Sequence, residues 1–320
     1  MSFTAQSYTS ARCEAWDAFV LHAAKPTFLL QRGYMDYHAD RFADCSLMLY
    51  DEHGHLQGLL PACYDAQART VASHGGLTYG GIVTAPSAHA ADVMAMLDAA
   101  TQYYADTLHA QHLSYRAVPH IYGTYPAEAD LYWLFRQGAR LAVRGLSAAI
   151  DLRRPLPLAT LRQRGVRKAE RLQPQWVQDA PLATFWPLLE EVLLTRHGVR
   201  PVHTLAEMEL LKSRFPANIR LHTATLDGTT QAGVLIYETP HCAHAQYIAA
   251  SRQAREGGLL DWLFERIITH YAQRPQPPRY FDFGISTEAG GTRLNEGLLH
   301  QKEGFGARAV CYDTYDCSLS

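Results

Sequence analysis

The chain has no apolar run near the ~18 residues that a membrane-spanning helix needs, no C-x-x-C pair and no H-E-x-x-H. The first absence argues against an integral membrane protein. The other two argue against a dithiol redox centre and against zincin chemistry, so no metal is expected even with 16 histidines present. The six cysteines (13, 45, 63, 242, 311 and 317) are scattered, which suits reduced thiols. Met1 to Phe19 carries Arg12, Glu14 and Asp17 and lacks an apolar core, so no secretion signal and a cytoplasmic location are expected. Charge of one sign is also missing. The 29 basic and 31 acidic residues nearly cancel to a net −2, which argues against a protein that coats DNA or an anionic membrane with its whole surface. Lysine itself is rare: four (25, 168, 212 and 302) stand against 25 arginines.

What the chain does have is core. It is 48% apolar over 320 residues, enough for one large or two ordinary folded domains. Residues 12–24 read as a short helix. Ser46 to Tyr50 and His55 to Tyr64 read as a hairpin around the turn at Asp51 to Gly54. Val71 to Val83, with its two glycine pairs, reads as a further strand or loop. Ala90 to Leu108 places Val93, Met96, Leu97, Ala100, Tyr104 and Leu108 on one helical face, and Leu113 to Val118 is a strand. The second half repeats this order. Ile219 to Leu226 and Gln231 to Tyr237 flank an Asp-Gly turn, His241 to Ala250 is a strand, Leu259 to Tyr271 an amphipathic helix, and Arg279 to Ile285 a strand. Gly58 and Gly233 hold the same place on the returning arms of the two hairpins. The chain therefore reads as two copies of one α/β unit, divided at 1–150 and 151–320. Two helices, about 182–196 and 204–214, lie between the copies' strands.

Six stretches carry candidate chemistry. In S-R-Q-A-R-E-G-G (251–258), a glycine-containing loop opens a helix. Free backbone N–H groups there, with Arg252, Arg255, Gly257 and Gly258, can hold a pyrophosphate; Glu256 places a negative charge in the same loop. In Y-F-D-F-G-I-S (280–286), Phe281, Phe283 and Ile285 share one face, while Asp282, Gly284 and Ser286 share the other, so Asp282 is expected at a partly wet cleft. The stretch 162–171 puts Arg164, Arg167, Lys168 and Arg171 on one helical face, within a segment (151–174) of seven basic and two acidic residues, suited to gripping phosphate. T-R-H-G-V-R-P-V-H (195–203) offers His197, Arg200 and His203. On the strand 241–250, His244 and Gln246 share a face with Tyr247 opposite. Imidazole is the natural base near neutral pH. In the first half, the glycine pairs beside His74 and Tyr79 mark backbone that something approaches closely, a ligand or a packed neighbour.

The strand–glycine loop–helix at 246–271 resembles the acyl-CoA site of GNAT N-acyltransferases, although the family pattern Q/R-x-x-G-x-G/A is here altered to adjacent glycines. The stretch H-Q-K-E-G-F-G (300–306) resembles the K-x-x-F-G-like element of the Fem-type peptidyltransferases and their double-GNAT relatives. With the order of elements, the resemblance spans about 28–316.

It implies an α/β fold of two tandem GNAT-like domains, each a mixed sheet flanked by helices, with the acyl donor in the second. It implies a cytoplasmic N-acyltransferase that moves an acyl group from acyl-CoA to an amine. The acceptor is expected to be an amino sugar on a nucleotide or lipid carrier for surface polysaccharide or the cell envelope. Catalysis would fall to His244, His197 or Asp282 as base and Tyr247 as acid, with backbone N–H groups near Tyr247 to Ala249 facing the oxyanion. Lys302, Arg164, Arg167, Lys168, Gln246 and Ser286 would hold the acceptor, with Lys302 on a phosphate and outside the core; a plain solvated lysine is the rival reading of that residue. A second reading makes the donor an aminoacyl-tRNA, against which stand the net charge and the lack of a long heptad run. A third is a non-catalytic partner in an envelope-assembly complex, its donor site decayed at Glu256.

Overall fold

The computed structural model describes residues 2–319, apart from the side chain of His197. The chain forms two compact units. One comprises 1–146, 287–293 and 311–320; the other comprises 147–286 and 294–310. The division falls inside the strand Arg140–Asp151, and the chain's last ten residues belong to the first unit.

The first unit begins with β1 (Phe3–Ser7) and α1 (Cys13–Leu21). Strands β2 (Leu47–Asp51) and β3 (Leu56–Leu60) form the expected hairpin. Short strands β4 (Cys63–Asp65), β5 (Thr70–Ala72) and β6 (Val83–Thr84) follow, then α2 (Ala90–Leu108), β7 (His112–Arg116) and α3 (Ala129–Arg136). Antiparallel pairing gives a sheet in the order β1-β2-β3-β6. The apolar stripe of α2 works as its spacing predicts: Val93, Met96, Leu97, Ala100 and Tyr104 are buried in one cluster with Leu47, Leu49, Leu60 and Leu113. Gly58 is needed there, because a Cβ would stand 2.7 Å from the Met96 sulfur.

The second unit takes up β8 (Arg140–Asp151) from Ser147 onward. It continues through α4 (Thr160–Glu170), β9 (Gln175–Gln178), α5 (Trp186–His197) and α6 (Leu205–Arg214). Strands β10 (Ile219–Leu226), β11 (Thr229–Glu238) and β12 (Cys242–Ala250) then form an antiparallel meander. After it come α7 (Arg252–Gly257), α8 (Leu259–Ala272), β13 (Tyr280–Ile285) and α9 (Glu296–Glu303). The sheet order is β8-β13-β12-β11-β10-β9, with β12 and β13 parallel and the other neighbours antiparallel. The last strand, β14 (Arg308–Ser318), pairs from Thr314 onward with β7 of the first unit.

One face of the second sheet is an apolar core. Ala148, Ile150, Val234, Ile236, Ala243, Ala245, Phe281 and Phe283 pack there on Leu259, Leu263, Phe264 and Ile267 of α8. Fully burying a side chain of the Leu, Ile or Phe class stabilises by about 1.5–3 kcal/mol, so this face supplies much of the unit's stability. On the opposite face, Gly233 lies under Phe185, whose ring would stand 2.4 Å from an added Cβ. Among the described residues no helix is long and apolar enough to cross a membrane.

Candidate functional site

Strands β12 and β13 are parallel neighbours in the second sheet, and they run together for three rungs: Cys242–Tyr280, Ala243–Phe281 and His244–Asp282. Beyond His244 both strands continue, β12 along β11 and β13 along β8, with no further pairing between them. The strands therefore part at His244, and β12 is left with an open backbone edge.

Two bulges shape this point. In β12, Ala245 faces Ile236 and Tyr247 faces Leu235, so Gln246 is an extra residue. In β13, Asp282 faces Ala149 and Ile285 faces Ser147, so three steps on one strand match two on the other. Gly284 sits in that irregularity at φ +78°, a conformation that glycine adopts without steric cost. A Cβ there would meet His244 Cε1 at 3.4 Å.

The bulges correct two face assignments. Strict alternation puts Tyr247 opposite His244. Instead Ala243, Ala245, Ile248 and Ala250 all face the apolar core, so the extra residue at Gln246 leaves His244 and Tyr247 on the same face. Likewise β13 ends at Ile285, and the bulge breaks the expected alternation of Asp282 with Ser286.

Asp282 is fully buried, not partly wet. It is accommodated because its neighbouring strands supply donors. Ser147 Oγ donates to Oδ1 at 2.5 Å, and His244 Nδ1–H donates to Oδ2 at 2.7 Å. The imidazole is thereby fixed in one orientation with Nδ1 as donor and Nε2 as the nitrogen left to accept a proton. His244 keeps 11% of its side chain exposed. A serine–carboxylate–imidazole relay of this kind is the arrangement by which a base is oriented for proton transfer.

Lys302 is also buried, at 4% exposure, where a lysine outside the core was expected. Its ammonium donates to Gly284 O at 2.7 Å, Ile285 O at 2.9 Å and Ser286 Oγ at 2.9 Å. An ammonium has three donors, and all three are used. Burial pulls its pKa down to about 8, and the neighbouring Asp282 charge opposes that fall. Ser286, buried as well, is thus a partner of Lys302 and does not face a cleft.

Tyr247 is held by the loop before α6. Its phenol shares a hydrogen bond with His203 Nδ1 at 2.7 Å and accepts from the His203 backbone N–H at 3.3 Å. Its ring meets Trp186 edge-on at 5.7 Å. His197 ends α5, and its side chain lies outside the described residues.

The anticipated glycine loop at 251–258 is mostly helix. Ser251 caps α7 by accepting from Ala254 N, and Gly258 closes it in a left-handed conformation. Arg252 pairs with Glu256 at 2.8 Å, and Arg255 donates to Ala250 O at 2.5 Å. Helix α4 covers the start of α8: Gly165 O would stand 2.3 Å from a Cβ on Gly258, and Lys168 donates to Glu256 O at 2.7 Å. In the first turn of α8, Asp261 pairs with Arg162 at 2.6 Å. Burial raises the pKa of Asp261, and Arg162 works against that. An internal carboxylate thus occupies the positive end of the helix, where a bound pyrophosphate would be stabilised. On the outer side of α4, Arg164, Arg167 and Arg171 are exposed and form no ion pair with a carboxylate among the described residues.

The structure brings His244, Asp282, Ser286 and Lys302 together. Tyr247 stands beside them on β12, and Arg252, Arg255, Gly257 and Gly258 lie past its far end. Ser147 and His203 were missed as partners. A single serine in an apolar strand carries no local signal, and His203 was legible only as one of several histidines in a loop.

Residues 160–290 match the family profile of the acetyltransferase (GNAT) domain. No curated protein sequence matches the chain. Among solved structures, FemX superposes with a TM-score of 0.68 at 14% identity, covering 98% of this chain and 96% of that one. The C-terminal domain (DUF2156) of a putative lysylphosphatidylglycerol synthetase from Agrobacterium fabrum gives 0.61 at 13% identity, with 97% and 92% covered. A tandem GNAT protein from the clavulanic acid biosynthesis pathway gives 0.52 at 13% identity, with 100% and 98% covered. The parted β12–β13 pair and the mixed sheets flanked by helices agree with these likenesses: residues 160–290 carry a GNAT acetyltransferase domain, and the chain as a whole shares the fold of FemX and of the tandem GNAT protein.

Proposed function

We propose that this protein transfers an acyl group from an activated acyl ester or thioester to a primary amine, with His244 as the base. The observation that carries this reading is the Ser147–Asp282–His244 relay at the rung where β12 and β13 part. An extended acyl arm laid along the open edge of β12 brings its carbonyl to His244. The amine nitrogen attacks that carbonyl carbon and forms the C–N bond. His244 Nε2 takes the nitrogen's proton, the C–S or C–O bond breaks, and the imidazolium returns the proton to the leaving group. Extra backbone curvature at Gln246 favours an N–H aimed at the developing oxyanion. Acyl-CoA and an amino sugar are the first donor and acceptor to try.

A specific observation favours a second donor. The Arg162–Asp261 pair and α4 fill the place where GNAT domains are expected to grip pyrophosphate, while the exposed Arg164, Arg167 and Arg171 form no ion pair among the described residues. Both suit an aminoacyl-tRNA better than acyl-CoA. Comparing acetyl-CoA, the corresponding acyl-pantetheine and aminoacyl-tRNA as donors for one amine decides between them. If acyl-CoA is the donor through its phosphates, it outperforms acyl-pantetheine by at least about tenfold in kcat/KM. Turnover with none of the three removes the acyl-transfer reading.

A further inference from the structure

Lys302 is a buried cation beside the relay, and its three bonds all end on the short stretch Gly284–Ser286. That stretch closes the β13 bulge. Within it Gly284 stands at φ +78°, where an added Cβ would come within 3.4 Å of the His244 ring, and Asp282 lies two residues upstream. We propose that Lys302 is a positioning residue that pins the β13 bulge and so fixes the Asp282–His244 pair, instead of contacting an acceptor phosphate.

Three features carry this. The ammonium has no donor left for a phosphate, because all three are spent at 2.7–2.9 Å. Its carbonyl acceptors belong to two consecutive residues, Gly284 and Ile285, whose carbonyls in a regular strand point to opposite sides. Here one cation receives both, which only the bulged backbone permits. Finally, α9 is anchored next to it: Phe305 packs in the core with Phe264 and Phe283, so the lysine's stem starts from a rigid point. The cation also lies within range of the Asp282 charge, which makes it a counter-ion to the buried carboxylate.

The proposal rests on the acyl-transfer reading only for its kinetic arm. The test compares Lys302→Met, Lys302→Arg and Ser286→Ala by hydrogen exchange and by steady-state kinetics. Exchange at the amides of 284–286 should quicken by at least about tenfold in Lys302→Met, since local opening governs it. In the same variant kcat should fall about 100-fold while both KM values stay within about twofold, as expected when reacting groups are displaced. Ser286→Ala, the milder change that removes one acceptor and keeps the ammonium, should show the same pattern at reduced size, and Lys302→Arg should recover part of kcat. Unchanged exchange at 284–286 in both Lys302→Met and Ser286→Ala would overturn the proposal. So would a tenfold rise in acceptor KM with kcat kept, the signature of a phosphate contact. Exchange reads the hold of Lys302 even if the protein proves to transfer no acyl group, so failure of the function and failure of this inference remain separate results.

Discussion

Asp282 Oδ2 accepts the Nδ1–H of His244 at 2.7 Å on the last rung that β12 and β13 share. Asp282→Asn tests what that bond does. An amide presents one acceptor and one donor, whereas the site offers two donors, Ser147 and His244. One of them must face an N–H. Turnover should fall by about 10²–10⁴-fold as the imidazole loses its fixed tautomer. Because Asp282 is fully buried, stability should fall too, by about 1–3 kcal/mol. Thermal melts and steady-state rates on one preparation measure both; an unchanged rate would separate Asp282 from catalysis.

Gly284→Ala should damage the same place from the other side. The new methyl has room to within 3.4 Å of His244 Cε1, but φ +78° is a conformation that alanine resists. A cost of about 1–2 kcal/mol is expected from the left-handed backbone, with a fall in kcat. A variant as stable and as active as the parent would show that the bulge is free to relax.

Arg162→Ala leaves Asp261 without its partner beneath α4. Both side chains are nearly buried, at 15% and 11% exposure, so the loss should approach the 3–5 kcal/mol typical of breaking a buried pair. Asp261→Asn in the same background should recover part of it by removing the stranded charge. If donor binding improves when the pair is removed, the start of α8 is a phosphate site that the pair merely blocks. Donor KM in the double variant reads this directly.

The protein should lose stability in mild acid. Burial, ahead of the nearby His270 and Arg274 charges, holds His222 down to about 3, and burial likewise holds His74 at about 4. Both rest near 6.5 when unfolded, so the unfolded chain binds more protons between pH 6.5 and about 3, and folding weakens as pH falls through that window. Above pH 6.5 the stabilising difference is fully present. His222→Phe keeps a ring against Trp176 and removes one proton site. Denaturant melts from pH 7.5 to 4.5 should show a shallower decline for the variant; parallel curves would remove His222 as a cause.

Elements with a clean period were legible in the sequence. The helix Ala90–Leu108 shows its stripe at 93, 96, 97, 100 and 104, and the second-half strands are bounded by turn residues. β8 was not legible. From Ser147 to Ile150 every residue is buried, because the strand lies inside a sheet covered on both faces, and such a strand has no alternation to read. α7 reads as a loop from its glycines, yet the Ser251 cap and the buried Ala254 make it helical. Asp282 and Lys302 were legible as chemistry but not as buried groups. What permits their burial comes from Ser147, 135 residues from Asp282, and from the bulge at Gly284, neither of which a local pattern contains.

The central claim is that His244 is the base of an acyl transfer. Its most direct measurement is the rate of His244→Gly with and without added imidazole, using whichever donor the parent accepts. The account predicts a loss of at least about 100-fold and recovery that rises with imidazole concentration. A rate for His244→Gly within about threefold of the parent, less than the 10²–10⁴ expected of a positioned base, would contradict it.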